Sequence, residues 1–373
     1  LEEAREKLRL GMYVMIREGT QARNLKDLLP VVTPQNARRC LLVTDDRHPA
    51  DLIDEGHIDS LVKMAIGQGL DPITAIQMAT INAAERFGLR DRGAIAPGYR
   101  ADLVVFDNFE SLRIEKVFSG GQLVAEEGRM APGAVREVAA HVRGSVNVNW
   151  AGVDLKIPAR GQRACPEPCP ERSRREGRRA RVIGVIPDQI VTEGLSEEVK
   201  VEDGLAVADV ERDILKIAVI ERHQGTGNTG LGFVRGFGLK RGAIASSVAH
   251  DSHNIIVVGT NDADMMAAAQ AVAAMGGGLA AVENGAVRAR LPLPIAGLMS
   301  DQPLEVVREE MDELLAVAQE MGSQLHDPFM TMSFLALPVI PALKLTDKGL
   351  VDVNQFKIVP LFEEQRTGGD LTD

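Results

Sequence analysis

The chain opens on charged and apolar positions at helical spacing, Leu1-Glu2-Glu3-Ala4-Arg5-Glu6-Lys7-Leu8, and this pattern predicts a helix over Leu1 to Glu18. Arg39-Cys40-Leu41-Leu42-Val43-Thr44 is continuously apolar at its centre, as a strand buried on both faces is, and it runs straight into Asp45-Asp46. Two helices are predicted after it, one over Asp59 to Gly67 and one opened by Asp71 as N-cap with Pro72 in the first turn. Over 1–92 helices and short apolar strands thus alternate, the rhythm of βα units around a parallel sheet or barrel. From Gly93 the pattern changes to turns and strands: Ala101 to Phe106, Ile114 to Phe118 and Gln122 to Ala125. A small β domain over 93–161 is expected. Residues 162–180, rich in Pro, Arg and Glu without periodicity, read as a linker or insertion. The region 181–373 mixes β-branched runs (Val182 to Ile186, Ile214 to Ile220) with two helices. One is opened by Thr260 or Asn261 and closed by Gly276 to Gly278; the other, long and acidic, runs over Pro303 to Met321. No internal repeat is found. The helical pattern starts at Leu1 without an initiator Met, which reads as a fragment.

Composition narrows the function classes. A chain of 373 residues predicts two or three domains, and 45% hydrophobic with 25% charged residues is the composition of a globular protein. The 42 basic against 53 acidic residues give a net charge of −11, which disfavours a nucleic acid partner. The one dense basic run, Arg172 to Arg181, is interleaved with Glu176 and reads as solvated. Three cysteines (Cys40, Cys165, Cys169) make a disulfide framework unexpected and point to a reducing cytoplasm. Cys165 and Cys169 lack the second pair of a structural zinc site. With no leader pattern, and its longest apolar run only Phe334 to Ile340, the protein is expected to be soluble, with no membrane partner.

Three segments could carry chemistry. Thr44-Asp45-Asp46 ends a strand, where barrel enzymes place catalytic groups, and a carboxylate there can bind a metal or take a proton from water. The alternative is that one Asp caps the next turn. His48 and His57 follow and either orient substrate or face solvent. The second segment is Ser246 to Asn254, in which His250, Asp251, His253 and Asn254 fall within five residues between two apolar runs and could converge on one ligand. The third, Arg222-His223-Gln224-Gly225-Thr226-Gly227-Asn228-Thr229-Gly230, is glycine-rich. It lacks the Gly-Lys-Ser/Thr ending of a phosphate loop and reads as a tight loop packed near a pocket. Met64, Met78, Met265, Met266 and Met275 read as core fillers. No Gly-x-Ser-x-Gly elbow occurs, so a covalent nucleophile has little support.

Taken together, Thr44 to Pro49, Glu55 to Asp59, Met78-Ala79-Thr80-x-Asn82 and Gly93 to Val104 resemble the end of an amidohydrolase barrel passing into its companion β domain. Gly236 to Ala245, the His-Asp-Ser-His-Asn run at 250–254, Leu291 to Ser300 and Asp327-Pro328-Phe329-Met330 resemble the extra C-terminal domain of adenine deaminases. The resemblance covers nearly the whole chain except about 162–177. It implies an α/β chain made of the C-terminal portion of a TIM-like amidohydrolase barrel (1–92), a small β-sandwich domain (93–161) and, beyond the insertion, an α+β adenine-deaminase domain (181–373). It implies hydrolysis of adenine to hypoxanthine and ammonia with a divalent metal, manganese first and iron or zinc as alternatives. Asp45 is the favoured metal ligand, because the family pattern sets a Ser or Thr before the metal-binding Asp; Asp46 stays open as catalytic partner. His48, His250, Asp251, His253 and Asn254 are expected to line or bind substrate. The remaining metal ligands would lie upstream of Leu1, so this chain alone is expected to be inactive. The substrate partner is adenine, and a homo-oligomer is expected. Two other readings stay open: an amidohydrolase acting on a cyclic amide, which explains 44–105 equally well, and a non-catalytic module binding through the His250 to Asn254 loop.

Overall fold

The computed structural model describes residues 1–20, 23–134, 144–159, 178–187 and 189–363. The chain divides into two compact units, Leu1–Ala140 and His141–Asp373.

In the first unit the opening helix is short. Helix α1 (Glu2–Arg9) stops before Gly11, which takes a left-handed turn (φ 79°), and the chain then extends into strand β1 (Val14–Arg17). The predicted helix to Glu18 is therefore corrected: Val14, Ile16 and their neighbours alternate buried and exposed, the period of a strand. β1 pairs in parallel with β2 (Cys40–Val43), in the register Val14 to Cys40 and Arg17 to Val43. A short helix α2 (Leu25–Leu28) lies between them in the chain. After β2 come α3 (Pro49–Asp54), α4 (Ile58–Gly67), α5 (Pro72–Ala79) and α6 (Ile81–Arg86). Asp71 caps α5 as expected, accepting from the Thr74 N–H at 2.9 Å. Leu61, Ala65, Ala75 and Met78 pack with Ile16, Cys40 and Leu42 into one core. The buried Asn82 ties α6 to the start of β2, its Nδ2 donating to the Ala37 and Cys40 carbonyls at 2.8 and 3.1 Å.

The β segment that follows is a meander of β3 (Leu103–Phe106), β4 (Ile114–Ser119), β5 (Gln122–Glu126) and β6 (Arg129–Met130). Among the described residues it forms a single four-stranded antiparallel sheet, not the two packed sheets of the expected sandwich. Strand patterns reveal that strands exist; they do not count the sheets.

Among the described residues the second unit is built on a ten-stranded sheet. Its strands are β7 (Ile157–Pro158), β8 (Arg178–Val185), β9 (Thr192–Glu202), β10 (Leu205–Val207), β11 (Ile214–Ile220), β12 (Thr229–Arg235), β13 (Ala243–Ser246), β14 (Ile255–Gly259), β15 (Gly278–Glu283) and β16 (Ala286–Pro292). They lie in the order β16-β15-β13-β14-β11-β12-β8-β9-β10-β7, with only the β8 and β12 pair parallel. Both faces of the central strands are covered, which is why Ile214 to Ile220 and Ile255 to Val258 read as unbroken apolar runs. Ala218, Ile220, Ala245 and Val257 face helix α7 (Asp262–Ala274), capped by Asn261, through Met265, Ala268 and Val272. Ile217, Val219, Ile244 and Val258 face α8 (Leu304–Glu320), α9 (Pro328–Phe334) and the hairpin of β17 (Leu343–Thr346) and β18 (Gly349–Asp352), which β19 (Lys357–Ile358) extends.

Residues up to 161 were expected in the small β domain; the compact units divide at 140. Residues 144–159 belong to the second unit, where the Asn147 N–H donates to the Arg222 carbonyl at 2.6 Å, Leu155 packs in the α7 core and β7 pairs with β10. The apolar positions Val146, Val148, Trp150, Val153, Leu155 and Ile157 mark a face to be buried, but they do not say which core buries it. Cys165, Cys169 and most of the expected insertion lie outside the described residues.

Lys344 on β17 is fully buried, and its Nζ donates to the carbonyls of Ile190 and Phe334 at 2.7 and 3.1 Å. Burial pushes its pKa down to about 8 from 10.5. Between these two values the unfolded chain binds the extra proton, so stability rises with pH through that window and falls as pH drops toward 8. Urea melts from pH 8 to 10.5 are expected to show this slope, of order 1 kcal/mol per pH unit, and Lys344→Met is expected to remove it. Equal slopes in the two proteins would disprove the assignment.

Candidate functional site

The strand-end carboxylates lie where the sequence places them. β2 ends at Val43, Thr44 is buried, and Asp45 turns the chain in a left-handed conformation at φ 58°. The two side chains differ: Asp45 is 55% exposed and Asp46 is 11% exposed. Both meet the guanidinium of Arg17 at the end of β1, with Nη1 2.7 Å from Asp45 Oδ2 and Nη2 2.6 Å from Asp46 Oδ1. Asp46 sits over Gly19, where an added Cβ would come within 2.0 Å of its Oδ1. The loop after β1 braces the loop after β2: the Thr20 N–H donates to the Asp46 carbonyl at 2.9 Å, and the Thr20 hydroxyl bonds Asp51 and receives the His48 N–H at 2.9 Å. The buried Glu18 accepts the Leu25 N–H at 2.9 Å, fixing the start of α2. His48 itself is the residue before α3, and His57 Nε2 lies 3.1 Å from the Thr44 hydroxyl.

These residues do not by themselves make a metal centre. Among the described residues no group of three or more His, Cys, Asp or Glu could hold a metal ion, whereas a catalytic divalent ion takes about three protein ligands. The oxygens of Asp45 and Asp46 are instead paired with Arg17. Arg17, Gly19 and Thr20 were missed at the level of sequence because they fell at or just beyond the end of the predicted opening helix.

The second cluster lies in the other unit, on the loops that leave one end of the sheet. The His250 ring stacks on Phe334 at 4.7 Å and meets the His253 ring edge-on at 5.3 Å. The His250 N–H donates to the Ser333 carbonyl at 3.0 Å. His253 is left-handed (φ 51°), and its Nδ1 accepts the Ala249 N–H at 3.3 Å. Burial, then the charges of His250 and Arg222, hold its pKa below the ordinary imidazole value. Asp251 points outward, 82% exposed. Asn254 accepts the Arg222 N–H at 3.3 Å and donates to Asp347 at 3.3 Å.

Arg222 is the hub of this cluster. It is fully buried, and its guanidinium donates to the carbonyls of His253, Ser145 (2.9 Å) and Ala296 (3.1 Å). Beside it the Glu221 carboxylate accepts the N–H groups of His223, Gln224 (2.8 Å) and Thr226 (3.0 Å) and the Thr226 hydroxyl (3.1 Å). Burial alone would raise the Glu221 pKa, but these donors outweigh it and hold the group at about 2. The glycine-rich segment is thus a tight loop wrapped on its own carboxylate. Of the expected site residues, His250, His253 and Asn254 are brought together within the second unit, and Asp45 and Asp46 within the first. Cys40 is a buried free thiol pushed up to about 11 by burial, unsuited to nucleophilic work.

Residues 189–357 match the adenine deaminase C-terminal domain family, and residues 8–124 match the amidohydrolase family. An adenine deaminase of Desulfatibacillum aliphaticivorans is 55% identical over 362 residues, covering 97% of this chain and 61% of that protein. Adenine deaminase 2 of Carboxydothermus hydrogenoformans is 51% identical over 96% of this chain and 61% of its own length. An adenine deaminase of Methanothrix thermoacetophila is 48% identical over 97% and 61%. The chain therefore spans about three fifths of the length of the curated relatives it matches.

Proposed function

The chain is homologous to the adenine deaminases along nearly its whole length, and from that kinship we propose that it forms part of an enzyme hydrolysing adenine to hypoxanthine and ammonia. The observation that carries the reading is the exposed Asp45 carboxylate at the end of a parallel strand, within the segment that matches the amidohydrolase family. In the balanced reaction water adds to the ring carbon bearing the amino group, the C–N bond breaks, and ammonia leaves. Asp45 takes a proton from the attacking water and returns it to the leaving nitrogen. Asp46, anchored against Gly19, keeps the strand end in place. Manganese, with iron or zinc as alternatives, belongs to the proposal as the enzyme's metal. The residues present do not fit such an ion unaided, so its other ligands are proposed to come from the two fifths of the relatives' length that this chain does not match.

His48, His250, Asp251, His253 and Asn254 are proposed to bind or line the substrate, and a homo-oligomeric cytoplasmic enzyme completes the reading. No helix among the described residues is long and apolar enough to cross a membrane, which is in keeping with it. Hydrolysis of a cyclic amide is the weaker reading, because it leaves the match over 189–357 without a role.

The test is a chimera in which this chain replaces its matched segment in the Desulfatibacillum aliphaticivorans protein, assayed with manganese by adenine absorbance. Adenine turnover is expected, with Asp45→Asn lowering kcat by about 10²–10⁴-fold. A folded, metal-loaded chimera that opens dihydropyrimidines and leaves adenine intact would overturn the proposal.

A further inference from the structure

Between the strand end and helix α4 runs a segment that the core does not hold. Helix α3 (Pro49–Asp54) has no buried residue. The core of the first unit takes Ile58, Leu61 and Val62 of α4 and Ala75 and Met78 of α5, and it takes neither Leu52 nor Ile53 of α3. The backbone is left-handed on both sides of the segment, at Asp45 (φ 58°) and at Gly56 (φ 106°). Polar contacts hold α3, and they come from two directions. From within, Arg47, only 2% exposed, staples the two ends of the segment together: its Nη2 bonds Glu55 and its Nη1 donates to the Gly56 carbonyl at 2.9 Å. From across, the loop after β1 reaches over. The Thr20 hydroxyl receives the His48 N–H at 2.9 Å and donates to Asp51, while Arg23 lies 3.5 Å from Asp51 and 3.3 Å from Glu55.

We propose that residues 47–56 form a hinged flap beside the strand end, a body stapled by Arg47, hinged at Asp45 and Gly56, and latched by Thr20 and Arg23. The inference rests on the reading of the strand end as the site, since His48, which that reading sets against the substrate, rides on the flap. Segments that open and close over a site are drawn from the parts of a fold poor in buried apolar contacts, because opening them costs least. α3 is such a part, and α4 is not: Leu61 and Ala65 are fully buried. Latch and core are therefore separable, and breaking the contacts of Thr20 or Arg23 frees the flap while α4 and β2 stay in place. The two contacts differ in strength. Thr20 donates to a carboxylate, a strong hydrogen bond, whereas Arg23 is 48% exposed and its ion pairs face solvent.

The test is amide hydrogen exchange on the chain as it stands, read at Leu52, Glu55 and Gly56, whose N–H groups bond within the segment, with the amides of α4 and β2 as control. Thr20→Val is expected to speed exchange at the three amides by about tenfold, and Arg23→Gln by about threefold. The control amides are expected to keep their wild-type rates. Thr20→Ser, which retains the hydroxyl, is expected to exchange as wild type does. Circular dichroism establishes that each variant is folded, and Arg23→Gln, at an exposed position, keeps the test decisive where Thr20→Val does not fold. Exchange at Leu52, Glu55 and Gly56 that a folded variant leaves unchanged would overturn the proposal. So would a rise shared equally by α4 and β2, which would make α3 part of the core, and a rise at one of the three amides alone, which would deny that the segment moves as one body. The two readings fail separately: a responsive flap with an adenine-inert chimera rejects the deaminase and keeps the flap, and the reverse pair of results does the opposite.

Discussion

Arg222→Ala is expected to destabilise the second unit by about 2–4 kcal/mol, since hydrogen bonds from a charged donor are worth about 1.5–3 kcal/mol each and the loops can partly relax. The residue is fully buried, and its guanidinium is tied to carbonyl oxygens of three separate loops, at Ser145, His253 and Ala296. Truncation removes these donors together and leaves three carbonyls of partly buried loops without the partner that gathers them. It also opens a cavity beside Gly297, whose backbone lies so close that an added Cβ would come within 2.7 Å of Arg222 Nη1. A second effect opposes the first. Burial lowers the Arg222 pKa, the sign of a charge held at a cost, and among the described residues its guanidinium meets carbonyl and hydroxyl oxygens rather than a carboxylate. Arg222→Met, which keeps much of the volume and removes the charge, is therefore expected to recover part of the loss. Urea denaturation of the two variants measures both, and hydrogen exchange at 249–254 is expected to rise in the alanine variant. A loss below about 1 kcal/mol in Arg222→Ala would show that the hub carries little of the loop geometry.

Gly230→Ala is expected to cost about 3 kcal/mol, at the upper end of what overpacking a core does. Gly230 lies on β12, where that strand passes beneath the hairpin of β17 and β18, and a Cβ there would sit 1.8 Å from the Thr346 carbonyl oxygen and 2.9 Å from its carbon. Those atoms are backbone and cannot rotate away, so the hairpin must lift. Two residues on, Gly232 offers the control. A Cβ at that position meets only the side chains of Ile217 and Leu345 at 3.4 Å or more, and Gly232→Ala is expected to stay within about 1 kcal/mol of wild type. The difference between the two melts measures the contact. Equal stability of the two variants would mean that the hairpin does not rest on β12.

Much of the architecture was legible along the chain. The strand over Cys40–Val43, the cap at Asp71, the runs at Ile214–Ile220 and Ile255–Gly259 and the helices Asp262–Ala274 and Leu304–Glu320 all announce themselves, because burial on one face or two imposes a period on the sequence. The acidic strand end was equally plain, as was the dense polar run at 250–254. The opening segment was misread because the unbroken apolar run Met12 to Ile16 fits a helical spacing as well as an alternating one. Arg17, Gly19 and Thr20 went unnoticed with it.

Sequence by itself determined which stretches form most of the strands, where most helices begin, and that carboxylates and imidazoles cluster at strand ends; all three are local properties carried by period, caps and neighbours. Only the tertiary structure decided what those side chains are bound to. Arg17 reaches Asp45 and Asp46 across 28 and 29 positions because two strands lie in parallel register, Arg222 gathers loops from Ser145 to Ala296, and residues 144–159 join the second core. Contacts of that kind depend on which elements pack together, and the energy that selects the packing is shared over the whole core, so no short stretch of sequence records it.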